Sequence, residues 1–260
     1  MLTIAVVIPA YNEERCLPLL LGDIAEAGRR YRFGADAVDI IVANNGSTDG
    51  TAAVAGQCGA RVVDVVPRRI GAVRNGGAAA SHGSILAFVD ADTRIHPDTF
   101  NAIADYFSDN TYVVGATGIL PTRRSLGIDV TWLILGCATL LLRYGIPRAR
   151  HQCAPTGLVC CRQADWKAVG GYSEQLLFAE DARFLLDLKR LGRRRGQVVG
   201  WLPNVPAIFS ARKFDEHGDW HYVFMPLRFV LGLFWYPALR SWAERYWYGS
   251  QRDKTGRTAA

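Results

Sequence analysis

The sequence lacks the patterns of a disulfide scaffold, a secreted protein or a dinucleotide-binding enzyme. Its six cysteines show no CxxC spacing and lie mostly among apolar neighbours, which favours reduced thiols in a cytoplasmic protein. Because no basic leader precedes the first strand-like run, we expect no signal peptide. No GxGxxG follows that run, which argues against a dinucleotide-dependent oxidoreductase. Internal repeats and low-complexity tracts are also missing.

Hydrophobic runs of bilayer length are scarce as well. Residues 130–142 are apolar throughout, but 13 residues are too few for a bilayer span. Residues 222–239 are rich in aromatic side chains and are interrupted by Pro226, Arg228 and Pro237. Two interpretations stay open for both segments: contact with the inner face of the cell membrane, or completion of the core or of a homodimer interface.

What the sequence does contain is an ordinary globular composition with a basic bias. The chain has 260 residues, of which 50% are hydrophobic and 21% charged, so we expect one large α/β domain or two small ones. The formal net charge of +6 favours anionic partners such as nucleotide phosphates or acidic lipids. Net charge is the sole indication of nucleic-acid binding, and no recognition motif accompanies it, so we expect no such partner.

Apolar runs alternate with helical patterns over the first 90 residues. The order β-α-β-α-β-α-β predicts a mostly parallel sheet with helices on both faces. Asn12 is predicted to be the N-cap of the first helix. The predicted strands are residues 3–8, 39–43, 61–66, 85–89, 112–116, 157–161 and 198–202, and a late helix is predicted over 179–191.

Two aspartates follow the most apolar of these strands. Asp90 and Asp92 come directly after residues 85–89, where the strand would emerge at the edge of its sheet. Open α/β sheets bind ligands at the carboxyl ends of their strands. Two carboxylates at this spacing can ligate Mg²⁺ or Mn²⁺ while substrate phosphates complete the coordination. The alternative is a solvated acidic turn.

Five stretches, in this order, resemble family 2 glycosyltransferases with the Rossmann-like GT-A fold. They are residues 7–14 (VIPAYNEE), 45–51 (NGSTDGT), 88–93 (FVDADT), 162–174 with VGGY at 169–172, and 179–181 (AED). The resemblance covers residues 3 to about 212 and implies transfer of a sugar from a nucleoside-diphosphate donor with inversion. It predicts a domain over 1–212, with a nucleotide-sugar half over 1–96 and an acceptor half over 97–212. Residues 213–260 would then form a C-terminal helical, aromatic extension.

The resemblance also implies roles for individual residues. Asp92 would be the direct metal ligand, with Asp90 on the ribose or on the metal through water. Asp181 would be the base that deprotonates the acceptor, after Glu180 at the start of a helix; the alternative is that both acids only complement the helix dipole. The residues expected to bind the nucleotide sugar are Pro9, Ala10, Tyr11, Glu13, Asn44, Asn45, Arg74, Asn75, Asp90, Ala91 and Arg212.

Two departures from the family pattern limit these expectations. Asn44 and Asn45 stand where the family often has an aspartate that pairs with the nucleobase, which leaves the base open. The Gln/Arg-x-x-Arg-Trp motif of processive synthases is missing, and residues 210–220 (SARKFDEHGDW) stand in its region. This favours transfer of a single sugar, with Arg212 near the pyrophosphate and His217 either a further metal ligand or structural.

Two other functions stay open at this point. A sugar-phosphate nucleotidyltransferase would have a similar sheet, but its Gly-rich N-terminal loop is absent. A non-catalytic nucleotide-binding or partner-binding module would fit the fold, although intact Asp90, Asp92 and Asp181 count against it. The sequence identifies neither the sugar nor the acceptor.

Overall fold

The computed structural model describes residues 1–123, 125–145, 157–176, 179–210 and 220. The elements of its amino-terminal half are β1 (Ile4–Ala10), α1 (Leu17–Arg30), a 3-10 turn (Ala35–Ala37), β2 (Val38–Asn44), α2 (Thr51–Gln57), β3 (Arg61–Asp64), α3 (Ile70–Ala79) and β4 (Ile85–Val89). The four strands are parallel, are joined by helices and lie in the order β3-β2-β1-β4. The predicted β-α alternation is confirmed.

The second half of the chain extends the same sheet on the far side of β4. Three further strands give a seven-stranded sheet of order β3-β2-β1-β4-β8-β6-β9, in which β8 is antiparallel to both neighbours. The remaining elements are β5 (Thr93–Arg94), α4 (Thr99–Tyr106), β6 (Tyr112–Ala116), β7 (Ile119–Pro121), α5 (Leu126–Gly145), β8 (Leu158–Arg162), α6 (Gln163–Val169), α7 (Glu180–Arg194), β9 (Val198–Trp201) and β10 (Ala207–Phe209).

The apolar run of β4 is explained by burial on both faces of the sheet. Ile85 and Val89 contribute to a core formed with α1 and α4, while Leu86 and Phe88 pack on the opposite side with residues of α3 and α7. A strand covered on both faces reads as continuously hydrophobic because neither alternate set of side chains meets water. The sheet with helices on both faces, predicted from the sequence, is confirmed.

One small sheet was not predicted. β5 pairs antiparallel with β10, and β10 pairs parallel with β7, in a second sheet of three strands. Each strand has only two or three residues, too few for an alternating pattern to be read from the sequence. The sheet matters for the site because its first strand starts at Thr93, directly after Asp92.

The first helix starts later than expected. The prediction that Asn12 is its N-cap is wrong: α1 begins at Leu17, with Cys16 at the cap and a proline in its first turn. Proline fits there because the first helical N–H groups have no intrahelical partner. Asn12 instead has a positive φ of 55°, a conformation that asparagine tolerates better than most residues.

The chain divides into two compact units. The first comprises residues 1–122 and 138–210 and contains both sheets; the second comprises 123–137 and 211–260. Of the second, the described part is Arg123, residues 125–137 and Trp220. The predicted boundary at residue 212 lies outside the described residues and stays a prediction. No helix in the described ranges is both long and apolar enough to cross a membrane.

Candidate active site

The loops after β1 and β2 are joined by hydrogen bonds between side chains and backbone. The Asn12 N–H donates to Ser47 Oγ at 3.0 Å, and Asn12 Oδ1 accepts from the Thr48 N–H at 2.8 Å. The Gly50 N–H donates to Glu14 Oε2 at 2.8 Å. Both loops follow parallel strands and therefore meet at the carboxyl edge of the sheet. The conspicuous polar residues of these two motifs thus build the edge itself.

Asn44 and Asn45, predicted to bind the nucleotide, are buried at this edge. Asn44 lies opposite Asp64 in the sheet register, and its Nδ2 donates to Asp64 Oδ1 at 2.7 Å. Asn45 Nδ2 donates to the carbonyls of Val65 and Pro67, at 2.7 and 3.0 Å. The buried Asn45 Oδ1 has no hydrogen-bond partner among the described residues. The two amides therefore order the end of β3 and the segment after it, which sequence reasoning had not assigned to the site.

Tyr11 faces that same segment. The guanidinium carbon of Arg68 lies 5.7 Å from the centroid of the Tyr11 ring, within the range of a cation–π contact. Arg68 and Asp64 were not among the predicted binding residues; the signal for them in the sequence was their position at the end of a third parallel strand or shortly after it. We call Tyr11, Asn44, Asn45, Asp64 and Arg68 the polar edge.

Other predicted residues of this half contribute backbone to the edge. Pro9 and Ala10 are buried as the last residues of β1, and Ala91 is buried between the two aspartates. The Glu13 N–H donates to Thr51 Oγ1 at 2.8 Å, which ties the first loop to the start of α2. Their contact with a nucleotide stays a prediction.

Arg74 occupies the centre of a charged cluster. α3 runs antiparallel to the strands it connects, so its first turns lie at the carboxyl edge. Arg74 Nη1 donates to Glu180 Oε1 at 2.9 Å and to Asp181 Oδ1 at 2.5 Å, and Nη2 donates to Asp90 Oδ1 at 2.9 Å. Its side chain is only 8% exposed. Burial lowers the pKa of the guanidinium, but the neighbouring carboxylates outweigh that effect and the pKa is raised, so Arg74 stays charged. We call Arg74, Asp90, Glu180 and Asp181 the charged cluster.

An aromatic platform lies beneath the guanidinium. Arg74 Cζ is 5.2 Å from the ring centroid of Tyr172, a residue of the predicted VGGY motif. The Tyr172 ring stacks on Phe184 at 4.1 Å and meets Phe88 edge-on at 5.0 Å. Phe88 comes from β4 and Phe184 from α7, so this packing joins the strand that precedes Asp90 to the helix that begins at Glu180.

Asp181 lies at the N-terminus of α7, beside the aspartate pair. Its side chain is 48% exposed, and partial loss of solvent around the carboxylate raises its pKa to about 6; Arg74 opposes this rise, and the negative charges of Glu180 and Asp90 add to it. Ala179, just before the helix, has a φ of 58°, which is strained for alanine. A carboxylate with a raised pKa in such a strained turn has the features of a general base.

Asn75, next to Arg74, connects α3 to the segment after α6. Its Nδ2 donates to the Tyr172 carbonyl and to Glu174 Oε1, both at 2.9 Å, and its Oδ1 accepts from the Tyr172 N–H at 2.8 Å. Gly171 passes so close that a Cβ there would lie 2.5 Å from Asn75 Oδ1. The amide therefore positions the VGGY segment, and its predicted contact with phosphate or ribose stays a prediction.

The residues present fit a divalent cation completed by substrate. Asp90 uses Oδ1 for Arg74 and has 56% of its side chain exposed, and Asp92 is half-buried two residues on. Within the described ranges, no group of three His, Cys, Asp or Glu side chains could hold a metal. Two carboxylates plus phosphate oxygens are nevertheless the donor set that Mg²⁺ and Mn²⁺ take in nucleotide sites. Arg212 and His217 lie outside the described residues.

The family model described as glycosyl transferase family 2 matches residues 5–132. Residues 5–132 are a family 2 glycosyltransferase domain. The matched segment contains the polar edge, Arg74, Asp90 and Asp92. Residues 180 and 181 lie beyond it, so only the fold brings their carboxylates to this domain.

Two curated relatives carry the same name. The 4,4'-diaponeurosporenoate glycosyltransferase of Staphylococcus aureus (strain MRSA252) is 37% identical over 127 residues, which are 46% of this chain and 31% of that protein. Its counterpart in Staphylococcus haemolyticus (strain JCSC1435) is 32% identical over 118 residues, which are 42% of this chain and 30% of that protein. The family 2 domain thus aligns with less than a third of each relative.

Solved structures share the fold of the family 2 domain. S. aureus TarS 1-349 in complex with UDP has a TM-score of 0.59 at 19% identity, over 82% of this chain and 62% of that one. The mannosyltransferase PcManGT from Pyrobaculum calidifontis, in complex with GDP-Man and Mn²⁺, has a TM-score of 0.57 at 17% identity, over 80% of this chain and 56% of that one. Glucosyl-3-phosphoglycerate synthase from Mycobacterium tuberculosis, in complex with Mn²⁺, UDP and glucosyl-3-phosphoglycerate, has a TM-score of 0.55 at 22% identity, over 87% of this chain and 79% of that one. The chain therefore has the GT-A fold.

Proposed function

We propose that this chain is an inverting, metal-dependent glycosyltransferase that moves a single sugar from a nucleoside-diphosphate donor to an acceptor. The observation that carries the proposal is the charged cluster, in which a candidate base, Asp181, is joined through Arg74 to Asp90 of the Asp-x-Asp loop. Direct displacement at a sugar carbon requires the base to lie next to the phosphate-binding site, and Asp181 and Asp90 bond the same guanidinium. Structural neighbours crystallised with UDP, GDP-Man and Mn²⁺ support the donor class and the cation.

The reaction needs two events at opposite sides of the sugar. The Asp181 carboxylate accepts the proton of the acceptor hydroxyl as its oxygen bonds to the anomeric carbon. The bond from that carbon to the diphosphate breaks on the opposite face, which inverts the configuration. Asp90 and Asp92 would hold a cation that, when bound, stabilises the charge on the leaving diphosphate.

The two other functions predict different behaviour. A nucleotidyltransferase would release pyrophosphate from a nucleoside triphosphate, and a binding module would bind nucleotide without turnover. The placement of the Asp181 carboxylate beside Arg74 and Asp90 favours transfer over both, because neither alternative requires a base next to the phosphate-binding loop.

A donor panel tests the proposal directly. UDP-glucose, UDP-N-acetylglucosamine and GDP-mannose would each be incubated with the protein and Mn²⁺, and released nucleoside diphosphate would be measured with and without EDTA. Cation-dependent release of UDP or GDP is expected, with water or an added acceptor taking the sugar. Release of pyrophosphate from UTP or GTP, or binding with no turnover of any donor, would contradict the proposal.

We further propose an apolar acceptor presented at the inner face of the cell membrane. Leu126, Leu133 and Ile134 on α5 have exposed fractions of 73, 65 and 48%. The last two lie within residues 130–142, for which the sequence left membrane contact, the core and a dimer interface open. The curated relatives are named for 4,4'-diaponeurosporenoate. Flotation with anionic vesicles tests this: binding weakened by high salt is expected, and absence of binding at low salt would contradict it.

A further inference from the structure

We infer that Arg74 is a positioning residue that holds the carboxylates of Asp181 and Asp90 in their working arrangement and does not bind the donor itself. The inference rests on the proposed function and goes beyond it, because the sequence had placed Arg74 on the phosphates or ribose. Its first support is the geometry of the hydrogen bonds. Nη1 donates hydrogen bonds to Glu180 and Asp181, while Nη2 donates one to Asp90.

The shape of arginine explains why this residue type stands here. A guanidinium presents several N–H donors in a rigid plane, so one group can fix acceptors that come from different elements. Lysine would place a single ammonium at one point and could not bond Asp90 and Asp181 in the same way. The bonded carboxylates are 16 and 107 residues away along the chain.

Burial and packing restrict the guanidinium to this position. The Arg74 side chain is 8% exposed, whereas those of Asp90 and Asp181 are 56 and 48% exposed. Tyr172 lies beneath the guanidinium and is itself stacked on Phe184. A donor entering from solvent therefore meets the exposed carboxylates before it meets the arginine.

The charge balance gives the arrangement a purpose. Asp90, Glu180 and Asp181 carry three negative charges close together, and Arg74 is the cation that bonds all of them. Without it the carboxylates would repel one another at the start of α7, directly after Ala179 with its positive φ of 58°. Asp181 would then leave the position from which it can take a proton.

Arg74→Lys and Arg74→Met test the inference in steady-state assays and in titrations of UDP with Mn²⁺. Arg74→Lys keeps the positive charge, so it provides a folded variant for the test if Arg74→Met loses its fold. For both variants we expect kcat to fall at least 100-fold while the Kd for UDP changes less than threefold. A Kd raised more than tenfold would make Arg74 a donor ligand, and an unchanged kcat would remove it from the reaction; either result overturns the inference.

A double substitution separates positioning from general structural support. If Arg74 acts mainly through Asp181, adding Arg74→Lys to Asp181→Asn should lower the residual rate less than threefold. Independent, multiplying losses would overturn the inference that Arg74 acts through Asp181. Arg195→Met is a matched control. Arg195 bonds the buried Asp165 at 2.5 Å, and neither residue belongs to the charged cluster. It should lower the melting temperature without changing kcat of the folded protein.

The inference and the proposed function can fail separately. A wild-type protein that turns over no donor on the panel contradicts the proposed function. UDP titration then still tests Arg74: a Kd unchanged in Arg74→Lys supports the inference, and one raised more than tenfold overturns it.

Discussion

The polar edge and the charged cluster lie at the same end of the sheet but are held together differently. In the polar edge, amides bond a carboxylate and backbone carbonyls 20 to 22 residues away. In the charged cluster, one guanidinium bonds carboxylates up to 107 residues away. The first joins neighbouring strands through neutral amides, whereas the second joins segments much further apart along the chain through ion pairs. We therefore expect separate tasks: the polar edge would contact the nucleoside, and the charged cluster would hold the groups that react.

The largest effect should come from the aspartate next to the charged cluster. Asp92→Asn removes one of two carboxylates for the cation, so we expect turnover to fall about 10³-fold. The fold should persist, because Asp92 lies in a turn and not in the core. Circular dichroism and the donor assay with varied Mn²⁺ check this. Full activity of Asp92→Asn, or of the wild type in EDTA, would contradict the proposal that a cation bound by these aspartates is needed for turnover.

Asp181→Asn should separate chemistry from binding. The substitution removes the base and leaves Asp92 and the polar edge intact, so we expect kcat to fall about 10²-fold or more. Calorimetry should give a near-normal affinity for the nucleoside diphosphate. Loss of nucleotide binding would instead assign Asp181 to the donor site.

The pH profile is the control for that assignment. The pKa of Asp181 is raised to about 6, and a base must be ionised to act. The wild-type rate should therefore fall as pH drops through about 6, approaching tenfold per pH unit below it, and level off above it. The residual rate of Asp181→Asn should lack this acidic limb; a limb retained in the variant would mean that another group is responsible.

Two adjacent glycines test the packing that supports the charged cluster. Both have positive φ, 79° at Gly170 and 72° at Gly171, but a Cβ meets no atom within 4 Å at Gly170 and lies 2.5 Å from Asn75 at Gly171. We expect Gly170→Ala to cost about 1 kcal/mol of unfolding free energy and Gly171→Ala about 2–4 kcal/mol. Urea unfolding of the pair measures the difference. Equal losses would mean that the contact with Asn75 is unimportant.

The smallest effect is expected at the polar edge. Arg68→Met removes the cation over Tyr11, a contact of about 0.5–1 kcal/mol at an exposed site, so UDP with Mn²⁺ should bind about 2–5-fold more weakly. Turnover at saturating donor should not change. Arg69→Met, one residue further on, is the matched control and should bind like the wild type. A loss of kcat in Arg68→Met would undo the division of tasks between the two regions.

Much of the fold was predictable because its signals are local. β4 could be read from its run of apolar residues, and Asp90 and Asp92 could be placed at its end without coordinates. β5, β7 and β10 could not, because strands of two or three residues have no period and form only when distant segments meet. The N-cap prediction at Asn12 failed for a related reason: its side chain bonds the backbone of Thr48, from the loop after the next strand.

The sequence by itself determined the alternation of strands and helices, the aspartate pair at a sheet edge and the family of residues 5–132. These follow from hydrophobic periodicity and from motifs of a few consecutive residues. Only the tertiary structure decided that Arg74 bonds Asp90, Glu180 and Asp181, and that Asn75 supports the VGGY segment. Burial of an arginine depends on which carboxylates the fold brings within reach. That choice is made by packing α3, β4 and α7 around Phe88, Tyr172 and Phe184, which no local pattern encodes.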